Sequence, residues 1–214
     1  MRREVTIVDH GLGNLYSVSR AVEVSGGVPL LSGDPDEVRR ASRLVLPGVG
    51  AFADGMAGLR ERGLDQALRE AVAAGTPLLA ICLGMQMLAD ASEEFGEHTG
   101  LGLVPGRVAP IPATGTDGRP HRIPHTGWTR LHLPPGRSGW EGTVLEGSQE
   151  GTWVYLVHSF HLQPDRAEDR LADCDYDGVT ICAAVTRGAV TGLQFHPEKS
   201  GPAGLHMLER FLQY

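Results

Sequence analysis

The sequence predicts an α/β fold: a mostly parallel, open β-sheet with helices on both faces and antiparallel additions in the C-terminal half. Over the first ~90 residues, short apolar runs alternate with segments of helical period, an order that favours a parallel sheet covered by helices. Later in the chain Gly and Pro become dense and short apolar runs alternate with turns, which indicates antiparallel strands. With 214 residues, 41% of them hydrophobic, a single domain over residues 1–214 is expected.

Four strands and four helices are expected in the first half of the chain. The strands are predicted at residues 5–8, 28–31, 44–46 and 77–82, and the helices at 15–25, directly after Asp34, at 59–74 and at 84–91. Asn14 suits the N-cap of the first helix, and Gly26 suits its end. Because residues 77–82 are continuously apolar, this strand is expected to be buried on both faces. Sites in such sheets form where the strands end.

The second half is expected to contribute antiparallel pairs and a last helix. A strand is predicted at residues 154–157. Strands at 181–186 and 190–195 are joined across Arg187 and Gly188, so they are expected to form a hairpin. The C-terminal helix is predicted to start at Ser200-Gly201-Pro202, where Pro occupies a first-turn position.

Charge and cysteine content exclude several classes of function. A net charge of −7 without a block of Lys or Arg argues against nucleic acid or an anionic membrane surface as partner. No apolar run of about 18 residues is present to span a membrane. The start Met1-Arg2-Arg3-Glu4 lacks the apolar region of a signal peptide, and three Cys are too few for a disulfide framework. A cytoplasmic protein is therefore expected.

Cys82 ends the predicted buried strand in Ala80-Ile81-Cys82-Leu83-Gly84, and a helix is expected to follow at once. Small residues around a side chain at a strand-to-helix turn are typical of a nucleophile elbow. A helix N-terminus favours the thiolate, and the N–H of Leu83 is available to an oxyanion. Taken alone, the position also suits a structural cysteine, which is the interpretation we give to Cys174 and Cys182.

His196-Pro197-Glu198 offers the base that a thiol nucleophile needs. The residue before Pro is held extended, and residues two apart on an extended segment point to the same side. Glu198 can then fix the tautomer of His196 while the other ring nitrogen faces Cys82. Combined with the elbow, this pattern predicts a Cys82–His196–Glu198 triad.

An oxyanion hole is expected beside the elbow. Pro47-Gly48-Val49-Gly50 follows the third predicted strand, and its glycines allow backbone N–H groups to point inward. Without the elbow beside it, the same segment would be equally typical of an ordinary loop.

Several motifs resemble one enzyme family. The segment Leu79-Ala80-Ile81-Cys82-Leu83-Gly84-Met85-Gln86 and the segment Gln194-Phe195-His196-Pro197-Glu198 are similar to the triad-type, class I glutamine amidotransferases. More narrowly, further segments resemble the glutaminase subunits of imidazole glycerol phosphate synthase: Gly13-Asn14-Leu15, Pro47-Gly48-Val49-Gly50-Ala51-Phe52, Ile123-Pro124-His125-Thr126-Gly127-Trp128, Tyr155-Leu156-Val157-His158-Ser159-Phe160 and His196-Pro197-Glu198-Lys199-Ser200. These matches occur in the family's order and cover nearly the whole chain.

The resemblance implies a reaction and its residues. Cys82 would attack the side-chain amide of L-glutamine, with His196 as base and then acid, and Glu198 orienting the imidazole. Leu83, Gly48 and Val49 would supply the oxyanion hole, and in this family the strand with Gly48 and Val49 can need to flip before its N–H points inward. Residues implied to bind the glutamine are Gln86, His158, Ser159 and Phe160. No cofactor and no metal is implied.

The resemblance also implies a partner. Ammonia would pass to a cyclase subunit of the HisF type, a (β/α)₈ barrel, in a heterodimer that forms imidazole glycerol phosphate and AICAR in histidine biosynthesis. Asn14, Trp128 and Lys199 are implied to face that cyclase. Lys199 is conspicuous because the other 18 of the 19 basic residues are Arg.

Three positions depart from the family pattern. Ala80 stands where Gly is usual, His10 where an aromatic phenol is usual, and Thr129 where Asn often follows the Trp. A small residue at position 80 still permits the elbow, whereas His10 and Thr129 lie in segments expected to face the partner. His125 and the nearby His121 are expected at the surface or at an interface.

Other functions stay open on the sequence alone. One is a glutaminase subunit for another synthase, in the pyridoxal phosphate or purine pathway. A second is a cysteine hydrolase of the same fold that acts on peptides, and a third is a non-catalytic binding module. Zinc at His158 and His161 is not expected, because residues three apart on a strand diverge.

Overall fold

The computed structural model describes residues 3–214. These residues form thirteen strands, numbered along the chain: β1 Glu4–Val8, β2 Val28–Ser32, β3 Leu44–Gly48, β4 Leu78–Cys82, β5 Ala91–Ser92, β6 His98–Thr99, β7 Gly106–Pro110, β8 His125–Arg130, β9 Trp153–His158, β10 Phe160–Pro164, β11 Arg170–Tyr176, β12 Val179–Arg187 and β13 Val190–Leu193. The α-helices of the same residues are α1 Leu15–Val24, α2 Pro35–Arg40, α3 Phe52–Glu61, α4 Leu64–Ala73, α5 Leu83–Met87 and α6 Gly201–Phe211.

Seven strands form the main sheet in the order β11-β12-β13-β4-β3-β1-β2. Strands β2, β1, β3, β4 and β13 run parallel, and β12 and β11 extend the sheet in antiparallel pairing. The mixed α/β fold with a mostly parallel sheet, which the alternating pattern predicted, is confirmed. The hairpin predicted across Arg187 and Gly188 is formed by β12 and β13.

Helices cover both faces of the sheet. Because successive residues of a strand point to opposite sides, each strand contributes side chains to the core on either face. Val45 and Leu79 belong to the core that includes residues of α1 and α6. Their neighbours Leu44 and Leu78 belong to the opposite core, which includes residues of α2, α3, α4 and α5. All five residues of β4 are buried, as expected for a strand covered on both faces.

The ends of three parallel strands meet at one edge of the sheet. Gly48, the last residue of β3, pairs with Cys82, the last residue of β4. Leu193, at the end of β13, pairs with Ile81. The segments that leave these strands, including the one that carries His196, are therefore brought together, as parallel pairing requires.

Two smaller sheets form a second layer beside this edge. One has the order β10-β7-β5-β6, and the other is the antiparallel pair β8-β9. The N–H of His196 donates to the carbonyl of Tyr155 at 2.9 Å, so the segment after β13 docks on β9. Ser159, between β9 and β10, is thereby placed beside the ends of the main strands.

Two helix predictions are wrong in their extent. The helix predicted at residues 59–74 is two helices, because Gly63, between them, has the left-handed backbone angle φ +66° and interrupts the helical path. The first of them, α3, begins earlier, at Phe52, in a segment whose Gly55 and Gly58 weaken the helical pattern. Gly58 is required by packing, since a Cβ there would overlap the carbonyl oxygen of His10.

The helix predicted at residues 84–91 also stops early. It ends at Met87, and Ala91 and Ser92 form β5, parallel to β7. Residues 83–89 are buried on all sides, and a fully buried segment of this kind does not reveal its period. Tertiary pairing with β7 therefore decides where the helix stops.

No helix among residues 3–214 is long and apolar enough to cross a membrane. The expectation that concerned a signal peptide draws on Met1 and Arg2, which lie outside the described residues.

Candidate active site

Cys82 lies at the turn from β4 to α5 with φ +55° and ψ −110°. A positive φ is strained for any residue with a Cβ and is found at sites where a side chain must be presented. Gly84 permits the turn, since a Cβ there would overlap the carbonyl oxygen of Leu46. The elbow forms with Ala80, which is completely buried, two residues before Cys82.

His196 and Glu198 make the contact that the sequence predicted. His196 Nδ1 lies 2.8 Å from Glu198 Oε1, and the two side chains are only 3% and 1% exposed. The route differs from the predicted one: His196 is extended, but Pro197–Lys199 form a single 3₁₀ turn. The turn, rather than a continuous extended segment, brings the carboxylate to the imidazole.

Charge favours a protonated His196. Burial by itself would lower the pKa of His196, but interactions with Cys82 and Glu198 outweigh burial and raise the pKa to about 9. Nδ1 is committed to Glu198, so Nε2 is the nitrogen left for Cys82. Among the described residues Nε2 has no partner that meets hydrogen-bond geometry, and such bonds often close only when substrate binds.

The residues predicted for the oxyanion hole surround the elbow. Gly48 pairs with Cys82, and a Cβ on Gly48 would lie 3.0 Å from Leu83 Cβ, so the missing side chain lets β3 approach the turn. Val49 and Leu83 line the cavity beside Cys82. Their role as oxyanion donors stays a prediction.

A cavity of about 300 Å³ opens at the strand ends. This volume lies at the lower end of the range for small-molecule sites. Its walls come from the elbow, the residues after β3, and both sheets of the second layer: Val49, Gly50, Cys82, Leu83, Gln86, Glu94, Pro124, Val157, His158, Ser159, Phe160 and His196. All four residues predicted to bind substrate are in this wall, whereas Gly48 and Glu198 are not part of it.

Gln86 is held in one orientation. Its Nε2 lies 2.9 Å from the carbonyl oxygen of Phe160 and 3.1 Å from Gln194 Oε1. Because both partners accept, both amide hydrogens of Gln86 are used. Oε1 is then the amide atom left for a ligand.

His158 is a neutral imidazole with a fixed tautomer. Burial lowers its pKa to about 3. Nδ1 lies 2.9 Å from the carbonyl oxygen of Phe160, which can only accept, so Nδ1 carries the proton. Nε2 therefore accepts from His125 Nδ1, 3.2 Å away.

The expectation of a surface position is wrong for His121 and His125. Both His121 and His125 are buried, at 8% and 6% exposure, rather than at the surface. Each imidazole stacks on the ring of Tyr176. Tyr176 comes from β11, far along the chain, so no local pattern around His125 indicated this packing.

Glu94 is a cavity residue that the sequence analysis missed. Its Oε2 accepts from the N–H of Phe52 at 2.6 Å, which anchors the carboxylate at the start of α3. A carboxylate in the same cavity wall as Gln86 suits a cationic group such as an α-ammonium. The acidic pair Glu93-Glu94 is typical of an ordinary surface segment, and only the strand pairing of β5 places it here.

The predicted partner-facing residues differ in their surroundings. Trp128 is 52% exposed and packs edge-on against Tyr155. Lys199 Nζ lies 5.8 Å from the centre of the same Tyr155 ring. Asn14 is partly buried, and its side chain accepts from the N–H of Ser17, which caps α1.

The side chains of His10 and Thr129 are buried. His10 is 2% exposed, and its Nε2 lies 2.8 Å from the carbonyl oxygen of Pro47. Thr129 is 8% exposed, and its hydroxyl donates to the carbonyl of Asp175. Neither offers a free side chain to a partner, because each side chain is engaged with a backbone carbonyl inside the chain.

The other two cysteines are protonated, unreactive thiols at neutral pH. Cys174 and Cys182 are buried, and burial raises the pKa of each thiol to about 12. Within residues 3–214, no three His, Cys, Asp or Glu side chains converge in an arrangement that could hold a metal ion.

Comparisons with known proteins agree with this geometry. Residues 6–213 match the family described as glutamine amidotransferase class-I. The chain is 46% identical over 209 residues to imidazole glycerol phosphate synthase subunit HisH 1 of Legionella pneumophila (strain Lens), covering 98% of each chain. It is 49% identical over 208 residues to subunit HisH of Geobacillus thermodenitrificans (strain NG80-2), covering 97% of this chain and 94% of the relative.

A solved structure supports the fold. The structure of PurLQS from Thermotoga maritima matches with a TM-score of 0.75, covering 100% of this chain and 99% of that one. The sequence identity is 19%, so this likeness shows the fold alone.

Proposed function

This chain belongs to the class-I glutamine amidotransferases and, within them, to the HisH subunits of imidazole glycerol phosphate synthase; on that premise we propose that it hydrolyses glutamine through Cys82, His196 and Glu198. The single observation that carries the residue assignment is the arrangement at the strand ends. The strained Cys82 shares a small cavity with His196, whose Nδ1 is held by a buried carboxylate.

Catalysis begins with the carbonyl carbon of the glutamine side chain. Cys82 Sγ attacks this carbon after its proton has passed to His196, and the N–H of Leu83, with an N–H from Gly48 or Val49, stabilises the oxyanion. His196 gives the proton to the leaving nitrogen, and ammonia departs. His196 then takes a proton from water, the hydroxide opens the thioester, and glutamate and the Cys82 thiol are formed.

The substrate would be held by groups that match an amino acid. Gln86 Oε1 and the Glu94 carboxylate are acceptors suited to the α-ammonium of glutamine. Backbone N–H groups of Ser159 and Phe160 are suited to its α-carboxylate. His158 takes no charge at neutral pH, so it holds the Phe160 carbonyl without competing for the ligand.

Ammonia would pass to a cyclase subunit of the HisF type, a (β/α)₈ barrel, in a heterodimer. The HisH relatives are named as subunits of a synthase, and free ammonia would be protonated and lost in water. A surface cluster of Trp128, Tyr155 and Lys199 lies on the antiparallel pair β8-β9 and the turn after β13. The cavity residue Val157 belongs to the same strand pair. This cluster, with Asn14, is the docking face in our proposal.

Other acceptors and substrates fit less well. The identity to HisH subunits extends over nearly the whole chain, which favours this synthase over one of the pyridoxal phosphate or purine pathways. A cysteine hydrolase acting on peptides would need an extended groove, whereas the cavity at Cys82 has room for a single small molecule.

The test is Cys82→Ala. We expect this variant to release no glutamate from glutamine above background, while it still binds the cyclase subunit in a pull-down or by calorimetry. Cys174→Ala is the matched control, because it removes a buried thiol elsewhere and should retain glutaminase activity. Glutamate release at the wild-type rate by Cys82→Ala would disprove the triad.

A further inference from the structure

Gln194 is a buried amide that the triad does not use. It follows β13, lies two residues before His196, and is completely buried. A buried carboxamide without hydrogen bonds is costly, so a Gln at such a position is retained where its donors and acceptor are used. Both the nucleophile and Gln86 are within its reach.

The orientation of the Gln194 amide follows from a chain of contacts. The Phe160 carbonyl can only accept, so the Gln86 atom 2.9 Å from it is the amide nitrogen. That nitrogen also donates to Gln194 across 3.1 Å, so the facing atom of Gln194 is its oxygen. The remaining Gln194 atom is the NH₂ group, and it lies 3.8 Å from Cys82 Sγ.

Cys82 Sγ thus lies between one donor and one acceptor. As a thiol, it donates to the carbonyl oxygen of Val157, 3.9 Å away, and accepts from Gln194. When the sulfur loses its proton, the contact with Val157 becomes repulsive, whereas the Gln194 N–H becomes a charge-assisted donor. Gln194 therefore favours the nucleophilic form and keeps the sulfur at a fixed place.

We propose that Gln194 is a positioning residue for the nucleophile, whose carboxamide donates to Cys82 Sγ and, through Gln86, ties the sulfur to the substrate wall at Phe160. The role rests on the proposed function, since it assigns a partner to the same nucleophile. Phe160, Gln86, Gln194 and Cys82 Sγ thus form a continuous series of contacts. A ligand that binds at Gln86 or Phe160 is connected to the sulfur through the two side-chain amides.

The test compares two variants of nearly equal volume. Gln194→Met removes the donor, and Gln194→Glu replaces it with a carboxylate that repels a thiolate. Thr191→Val is the matched control, because Thr191 is a buried polar residue on the preceding strand β13. The readout is the rate of iodoacetamide alkylation against pH on the full-length chain, with Cys82→Ala as background for the two buried thiols.

We expect the alkylation profile of Gln194→Met to move to higher pH by about one unit, and that of Gln194→Glu to move further. In the complex with the cyclase, kcat for glutamine should fall about 10- to 100-fold, with a smaller change in KM. Thr191→Val should keep the wild-type profile and kcat. A merely structural role would lower thermal stability without moving the alkylation profile.

An unchanged alkylation profile in a folded Gln194→Met would overturn the proposal. If Gln194→Met does not fold, the more polar Gln194→Glu decides in the same way, since a profile at or below the wild-type pH contradicts the role. The alkylation requires no glutamine. Failure here, with Cys82→Ala inactive, would leave the proposed function intact, whereas an active Cys82→Ala would remove the function itself.

Discussion

Cys82 is held by its backbone and by polar atoms on either side of the sulfur. Its positive φ is possible because α5 starts directly afterwards and because Gly84 leaves room for the Leu46 carbonyl. The sulfur lies between Val157 and Gln194. The sequence indicated the elbow because small residues around a Cys at a strand end are a local pattern. The polar partners of the sulfur come from residues 157 and 194, so no local pattern revealed them.

Lys199, the single Lys of the sequence, lies at the surface beside Tyr155. Its ammonium lies over the Tyr155 ring and the residue remains exposed, so it is available to an acid on a partner. An ammonium is a compact charge and a guanidinium a planar fork. We expect Lys199→Arg to weaken complex formation with the cyclase about fivefold and to reduce the glutaminase activity of the complex, measured by titration calorimetry and glutamate release.

The control for Lys199 is Arg166→Lys, an exposed cation that pairs with Glu168 away from the cavity. This change should leave the affinity for the cyclase unchanged. If Lys199→Arg also leaves both the affinity and the glutaminase activity of the complex unchanged, the single Lys of the sequence has no docking role and its position is a matter of composition.

At the scale of elements, the packing of α5 on β3 sets the geometry of the site. Gly84 in α5 touches the backbone of Leu46, and Gly48 at the end of β3 touches Leu83. Two glycines thus allow the elbow and the predicted oxyanion segment to approach each other. A side chain at either position would push Cys82 and the predicted oxyanion donors apart.

Gly84→Ala tests this packing. The new Cβ would overlap the Leu46 carbonyl oxygen, a rigid backbone atom, so α5 must move away from β3. We expect a loss of about 1–3 kcal/mol in the free energy of unfolding, measured in urea, and a loss of glutaminase activity larger than the loss of folded protein.

Gly75→Ala is the matched control for backbone strain. Gly75 has φ +91°, and apart from its two neighbours in the chain no residue has an atom within 4 Å of the place that a Cβ would take. Ala should therefore cost about 1 kcal/mol through its backbone alone and leave activity intact. Wild-type stability and activity in Gly84→Ala would show that α5 does not depend on this close approach.

At the scale of the whole molecule, the fold buries several imidazoles in the neutral form. Burial lowers the pKa of His158 to about 3 and that of His161 to about 4, and it also lowers the pKa of His10 and His125. The unfolded chain protonates these groups near pH 6.5. Their contribution to stability is therefore complete above pH 6.5 and is lost as the pH falls toward the folded-state pKa values.

We expect the free energy of unfolding to decrease by about 1.4 kcal/mol per pH unit for each of His158 and His161 between pH 6.5 and pH 4.5. His161→Gln should make the dependence of the unfolding free energy on pH shallower by about 1.4 kcal/mol per pH unit, the contribution of one proton. The variant lacks one imidazole, while its carboxylates titrate as in the wild type. Urea unfolding at several pH values measures the difference. Equal slopes for His161→Gln and the wild type would contradict the neutral buried form.

His196 acts in the opposite sense. Its pKa is raised to about 9, so its contribution is complete below pH 6.5 and is lost as the pH rises through about 9. The buried neutral imidazoles lose their stabilisation as the pH falls below 6.5, and His196 loses its stabilisation as the pH rises toward 9. The histidines together therefore favour the folded state most near neutral pH.

The sequence by itself determined the fold class, the elbow at Cys82 and the pairing of His196 with Glu198. Each of these depends on alternation or on neighbours within a few residues, which a linear pattern records. The tertiary structure decided the end of α5 at Met87, the burial of His125 and the places of Glu94 and Gln194. The physical reason is that these features depend on contacts between residues far apart in the chain, and each such partner is chosen by sheet pairing and packing rather than by local propensity.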